Sequence, residues 1–288
     1  DPSNGGTVSV HTFAQAVDSY IQWKRTEGKS LDRAARNMSW ANKKWGMVRL
    51  ETITSDEIVD WISDTMGHLK PGSVARYLTS FKSVMRHAHS RGWLKKVPHI
   101  PMPKVDDARD QHLETDEVAA LLEWVGENEP HYLLHFTLLI DTGARLGEVW
   151  RLAWRDIKNG VVKVKKMTHG KAVYRRIPMS RQLKDLADVH RGENDAPVIT
   201  RKGGVQWRNA NSASAMLNTA LKAGCKAIGS EPMRVHDLRH TFAYLAAQAG
   251  ADLGDLQLLM GHERLDMTLR YRGFIPNRSR DVIQNLRP

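Results

Sequence analysis

With a single cysteine, Cys225, among 288 residues, the chain can form no internal disulfide and has no thiolate-rich zinc site. No run approaches the roughly 18 apolar residues a membrane span needs, and no charged-then-apolar leader opens the chain. A reducing, cytoplasmic setting without a membrane partner is the expectation. The opening DPSNGGT lacks an initiator Met, so residues upstream are expected. Repeats and low-complexity tracts are missing too. Acidic residues are the minority, 32 against 43 Lys and Arg, giving a net charge of +11 and a pI near 9.8. That imbalance points to a polyanionic partner, nucleic acid first, although a basic solvated surface has the same composition. Up to residue 104 there are 16 basic and 9 acidic residues, and beyond it 27 and 23, so the excess concentrates in the first third.

Helical periodicity fills residues 12 to 91 in four pieces. The first runs from Phe13 to Thr26, with Thr12 as N-cap, Gly28 just past its end, and Phe13, Ala16, Val17, Tyr20 and Ile21 on one face. LDRAARNMSWANKKW is the second, the capping sequence TSDE opens the third, and KPGS opens the fourth, VARYLTSFKSVMRHAHSRG. The fourth carries Arg76, Lys82, Arg86, His87 and Arg91, followed by Lys95 and Lys96, a face that either tracks phosphates or is simply solvated. Proline is scarce except in LKKVPHIPMPKVDDARDQH, which holds three within six positions and reads as an extended linker. The predicted domains are therefore 7–104, a small helical module, and 110–288. In the latter, ETDEVAALLEWV and HYLLHFTLLIDTGA read as helices, and GVVKVKKMTHGKAVYRRIPM as two strands turning near Gly170. The fold class is mainly α with a small antiparallel sheet (α+β). Trp23, Trp40, Trp45, Trp61 and Trp93 are expected as core and interface anchors.

Chemistry-bearing residues gather in three places. HDLRHTF, read as a helix, brings His236 near Arg239 at i,i+3 and near His240 at i,i+4, which suits a metal or an anion. DTGARLGEVWRL places Arg145 after a Gly143 turn and at the start of a helix, where amide groups and the macrodipole favour a phosphate oxygen. The plainer alternative is an Arg145–Glu148 surface ion pair. LLMGHERLDMTLRYRGF supplies His262 and, nine residues later, Tyr271, a phenol that would need neighbouring cations such as Arg145, Arg239 and His236 to act as a nucleophile. For a zinc hydrolase, His236, His240 and His262 have ligand spacing. The acid would then be Asp237 rather than Glu, and Arg239 would repel the ion.

In order, TGARLGE, a lysine-bearing hairpin, HDLRHTF, LMGH and the tyrosine resemble the tyrosine recombinase family, especially bacteriophage integrases, over roughly residues 112 to 275. The helical module is similar in kind to the family's core-binding, DNA-clasping domain. The resemblance implies a site-specific recombinase that cuts and rejoins DNA through a 3′-phosphotyrosyl link without metal, ATP or other cofactor. Arg145 and Arg239 would grip the scissile phosphate, with Tyr271 as nucleophile. His236 would handle its proton, His262 would donate to the phosphate, and Glu148 would hold the site together. The general acid would be a hairpin lysine, Lys166 by choice, with Lys171 as runner-up and Lys165 in the same region. Implied partners are double-stranded DNA, a homotetramer on that DNA and DNA-bending accessory proteins. Val282, Ile283 and Leu286 in the tail form a short helix expected to dock on a neighbouring protomer. Family members often carry an N-terminal arm-binding domain, and none is visible in these residues. A Xer-like dimer resolvase, a type IB topoisomerase and a DNA-binding protein without catalysis remain the alternatives.

Overall fold

Thr12 opens the first helix of the computed structural model by a reciprocal cap: its hydroxyl accepts from the Gln15 amide, and the Gln15 side chain accepts from the Thr12 amide at 3.0 Å. The structure describes residues 11–27, 32–105, 111–168 and 171–275, and the chain divides into two units, Asp1–Ala108 and Arg109–Pro288. Gly28, residues 169–170 at the hairpin turn, and the tail segment expected as a helix with Val282, Ile283 and Leu286 lie outside the described residues.

The first unit is built from α1 (Phe13–Thr26), α2 (Asp32–Trp45), α3 (Ser55–Met66) and α4 (Pro71–Ser90). Its core is aromatic: Phe13, Trp45, Trp61 and Phe81 pack ring to ring at centroid distances of 4.8 to 6.3 Å. Two of the five tryptophans are thus core residues. Trp40 and Trp93 are half-buried, stacked on Tyr77 and His11, while Trp23 is 42% exposed. His87 departs from the basic face expected of α4. It is buried, bonds Ser19 Oγ through Nε2 at 3.0 Å and stacks on Trp23, and burial, then Arg91 and Lys24, lower its pKa. The proline-rich stretch is not wholly a linker either. Leu94 and Ile100 are buried in this core, and the His99 amide donates to Ser55 Oγ at 2.9 Å. An extended segment can lay alternate side chains on a helical surface without helical periodicity.

In the second unit the central helix is α6 (Leu133–Thr142), apolar on nearly every side, as befits a helix packed against α5 (Thr115–Asn128), α8 (Arg181–Val189) and α10 (Leu238–Gln248). Between α7 (Leu146–Val149) and α8 lies a three-stranded antiparallel sheet in the order β1 (Ile157–Lys158), β2 (Val161–Thr168), β3 (Lys171–Pro178). Asn159 and Gly160, both at positive φ, make the tight turn from β1 to β2. Along β2, Val162 and Val164 face the core, and opposite Val162 on β3 stands Ile177. This period-2 alternation sets which later hairpin residues face inward. The helices α9 (Ala210–Ala227), α11 (Leu253–Met260) and α12 (Asp266–Leu269) complete the unit.

Candidate active site

Two left-handed helix ends build the centre of the site. Gly143 (φ 55°) ends α6 and Gly261 (φ 65°) ends α11, each turning the chain so that nearby carbonyls point inward. Arg239, on the first turn of α10 and only 4% exposed, donates one Nη to the Gly143 carbonyl and the other to the Met260 carbonyl. The guanidinium is thereby clamped between the two turns. Burial and the nearby Arg145 and Arg175 lower its pKa to about 10, so it stays cationic at neutral pH. A methyl group on Gly143 would lie 2.3 Å from the Phe242 ring. Gly143→Ala therefore combines a left-handed non-glycine with overpacking, and should cost about 2 to 5 kcal/mol in urea unfolding.

Arg145 is the N-cap of α7, where its amide donates to Glu148 Oε2 at 3.0 Å and its Nη1 to Oε1 at 3.4 Å. The pair is not the solvated surface bridge weighed from sequence, because Glu148 is buried. A second guanidinium, Arg175 from β3, donates to Glu148 Oε2 at 2.8 Å. Burial alone would raise the Glu148 pKa. The Arg175 hydrogen bond and charge, followed by those of Arg145, outweigh it and lower the value. Arg175 was absent from the residues inferred from sequence.

The hairpin lysines separate by strand parity. Lys166 continues the inward face of Val162 and Val164, and its Nζ donates to the Gly261 carbonyl at 3.2 Å and to Glu263 at 2.8 Å. Lys165 is exposed on the alternate face and Lys171 is exposed at the hairpin end, paired with Thr168. Between α7 and this hairpin is a cleft of about 480 Å³, lined by Arg145, Glu148, Arg151, Lys165 and Lys166 among others.

After the α11 turn comes His262, whose Nδ1 lies 2.9 Å from Thr268 Oγ1 and whose ring is parallel to that of Tyr271 at 6.2 Å. Tyr271 is only 3% exposed, packed with Phe242, Leu256 and Met260 and near the rings of His240 (5.5 Å) and Phe274 (5.8 Å). HDLRHTF is not helical throughout: α10 begins at Leu238, with His236 and Asp237 in the turn before it. Even so, His236 stays close to the arginines. Burial, then Arg239, Arg145 and Arg270, lower its pKa, while Asp237 opposes them. His240 is buried behind, its ring edge-on to His236 at 6.3 Å. Among the described residues no three His, Cys, Asp or Glu side chains gather as metal ligands would. Arg145, Lys166, His236, Arg239, His262 and Tyr271 thus surround one region.

Two imidazoles give the molecule an acid window. Burial, then the Arg239, Arg145, Lys166 and Arg175 charges, bring His262 to about 4, and burial brings the His135 of α6 to about 4, against 6.5 for a free imidazole. Between these values the unfolded chain binds protons that the folded chain refuses. Stability present above pH 6.5 is therefore lost as the pH falls through 4. Urea midpoints should drop from pH 7.5 to pH 5, and His135→Gln should flatten part of that slope.

Comparison with known proteins follows the same region. Residues 111–275 match the model of the phage integrase family. The chain is 30% identical over 225 residues to the integrase of Salmonella phage P22, covering 72% of this chain and 56% of that protein, so it spans little more than half of that relative's length. It is 27% identical over 283 residues to the tyrosine recombinase XerC of Lactobacillus leichmannii, covering 90% of this chain and 93% of the relative. Its fold is similar to the Tn1549 transposon integrase in complex with circular intermediate DNA (TM-score 0.73, 18% identity, covering 95% of this chain and 98% of that one). It is also similar to a lambda integrase tetramer bound to a Holliday junction (TM-score 0.70, 20% identity, covering 88% and 78%).

Proposed function

Because the chain belongs to the phage integrase family of tyrosine recombinases, we propose that it cleaves and rejoins duplex DNA through a 3′-phosphotyrosyl intermediate, integrating or excising a mobile segment. One observation carries the reading. Arg145, Arg175, Arg239 and Lys166 gather around the carboxylates of Glu148 and Glu263, an excess of positive charge that a phosphodiester would neutralise.

In this reading Arg145 and Arg239 hold the non-bridging oxygens. Tyr271 Oη attacks phosphorus in line and its proton passes to His236, kept neutral at pH 7 by its depressed pKa. The P–O5′ bond breaks, its electron pair stays on O5′, and O5′ takes a proton from Lys166. His262 supports its assigned role through geometry. If Nδ1 accepts from the Thr268 hydroxyl, Nε2 carries the proton and donates to the phosphate. A 5′ hydroxyl of another strand reverses the step, and the phosphotyrosyl link conserves the bond energy, so rejoining needs no ATP. The packed seat of Tyr271 requires its ring to move outward before attack.

The first unit, with Arg76, Arg86, Arg91, Lys95 and Lys96 exposed on and after α4, would clasp the same duplex. Exchange between two duplexes needs four cuts, hence four protomers on DNA, with DNA-bending proteins as accessories. The test is to incubate the chain with nicked duplexes drawn from the DNA flanking its gene. A denaturation-resistant protein–DNA adduct supports the reading, and binding without any adduct leaves a DNA-binding protein that does not cut. The nearly full-length match to XerC is compatible with a second reading, a Xer-like recombinase that resolves DNA dimers. A duplicated tRNA-like attachment sequence beside the gene would point to integration, and a housekeeping neighbourhood to resolution.

A further inference from the structure

Four consecutive residues at the end of α11, Met260 to Glu263, do more than carry His262. The Met260 carbonyl holds Arg239, the Gly261 carbonyl holds Lys166, and Glu263 holds Lys166 again through its carboxylate. The hairpin lysine is thus tied to the same turn that positions the second arginine and the histidine. We propose that Glu263 is a positioning residue for the general acid, seating the Lys166 ammonium beside His262 before DNA arrives. This rests on the general-acid role of Lys166 given above.

Three considerations make the contact more than a surface ion pair. A lysine stem has four rotatable carbons and spreads over many rotamers unless something fixes its end. Here two acceptors from one turn fix it, at 3.2 and 2.8 Å. A general acid must also be held at its leaving group, and both acceptors of the Lys166 ammonium belong to the turn that carries His262. Finally, Glu263 is half-exposed. Pairs of that kind contribute little to stability, so its removal should leave folding intact and change only the chemistry.

General-acid catalysis can be bypassed with a substrate whose scissile bridging atom is sulfur in place of O5′, because a thiolate leaves without being protonated. With the whole chain and a nicked duplex that it cleaves, Glu263→Ala should slow single-turnover cleavage of the oxygen-bridged substrate about tenfold. It should leave the sulfur-bridged substrate at the unsubstituted rate. Lys166→Ala should show a larger loss and the same rescue, and the double substitution should be no slower than Lys166→Ala alone. Equal slowing of both substrates by Glu263→Ala, no slowing of either, or faster cleavage of the oxygen-bridged one would each overturn the proposal while Lys166→Ala is still rescued. If Lys166→Ala is not rescued, the general-acid assignment falls and this proposal falls with it.

Discussion

Tyr271→Phe is expected to abolish covalent capture of DNA while leaving DNA binding and folding nearly unchanged. The substitution removes one oxygen and keeps the ring that packs against Phe242, Leu256 and Met260. Its packing cost is therefore small. The chemical cost is not, because no other group can form the ester. Removing a covalent nucleophile costs about four to six orders of magnitude in turnover. Adduct yield on a nicked duplex, set beside a gel-shift titration and a thermal melt of the same protein, separates the three effects.

Arg239 should give the second largest loss. Its guanidinium spans two carbonyls from different helix ends, so Arg239→Lys keeps the charge but cannot make both bonds in one plane. Cleavage should fall by about a thousandfold or more, the scale on which a single arginine stabilises a phosphoryl-transfer transition state. Arg239→Ala goes further. It leaves the Gly143 and Met260 carbonyls without their donor, at about 1 to 3 kcal/mol for each such buried group. Single-turnover cleavage rates for the lysine variant, and urea unfolding for the alanine variant, check the two halves.

How much of this could be read in the chain depends on the range of the interaction concerned. The cap at Thr12, the helix bounds of α1 and the hairpin strands are set by neighbours within a few residues, and they stand plainly in the sequence. Strand β1 was missed although Asn159-Gly160 is a recognised hairpin turn pair; two residues are too few for alternation to register. Parity along β2 distinguishes the faces of Lys165 and Lys166, and the same counting across the hairpin reaches Arg175, opposite Val164. That signal was present and unused. Glu263 had no comparable signal, since its tie to Lys166 joins positions 97 residues apart. The burial of His87, Leu94 and Ile100 likewise follows from packing between segments distant in sequence, where a basic or proline-rich composition misleads.

The most direct measurement is to trap the protein on a nicked duplex, digest it with a protease and locate the nucleotide-bearing peptide by mass spectrometry. The account predicts a single modified residue, Tyr271, joined to a 3′ phosphate, and a free 5′ hydroxyl on the released strand. A 5′-phosphotyrosyl link, or DNA attached to any other side chain, would contradict it.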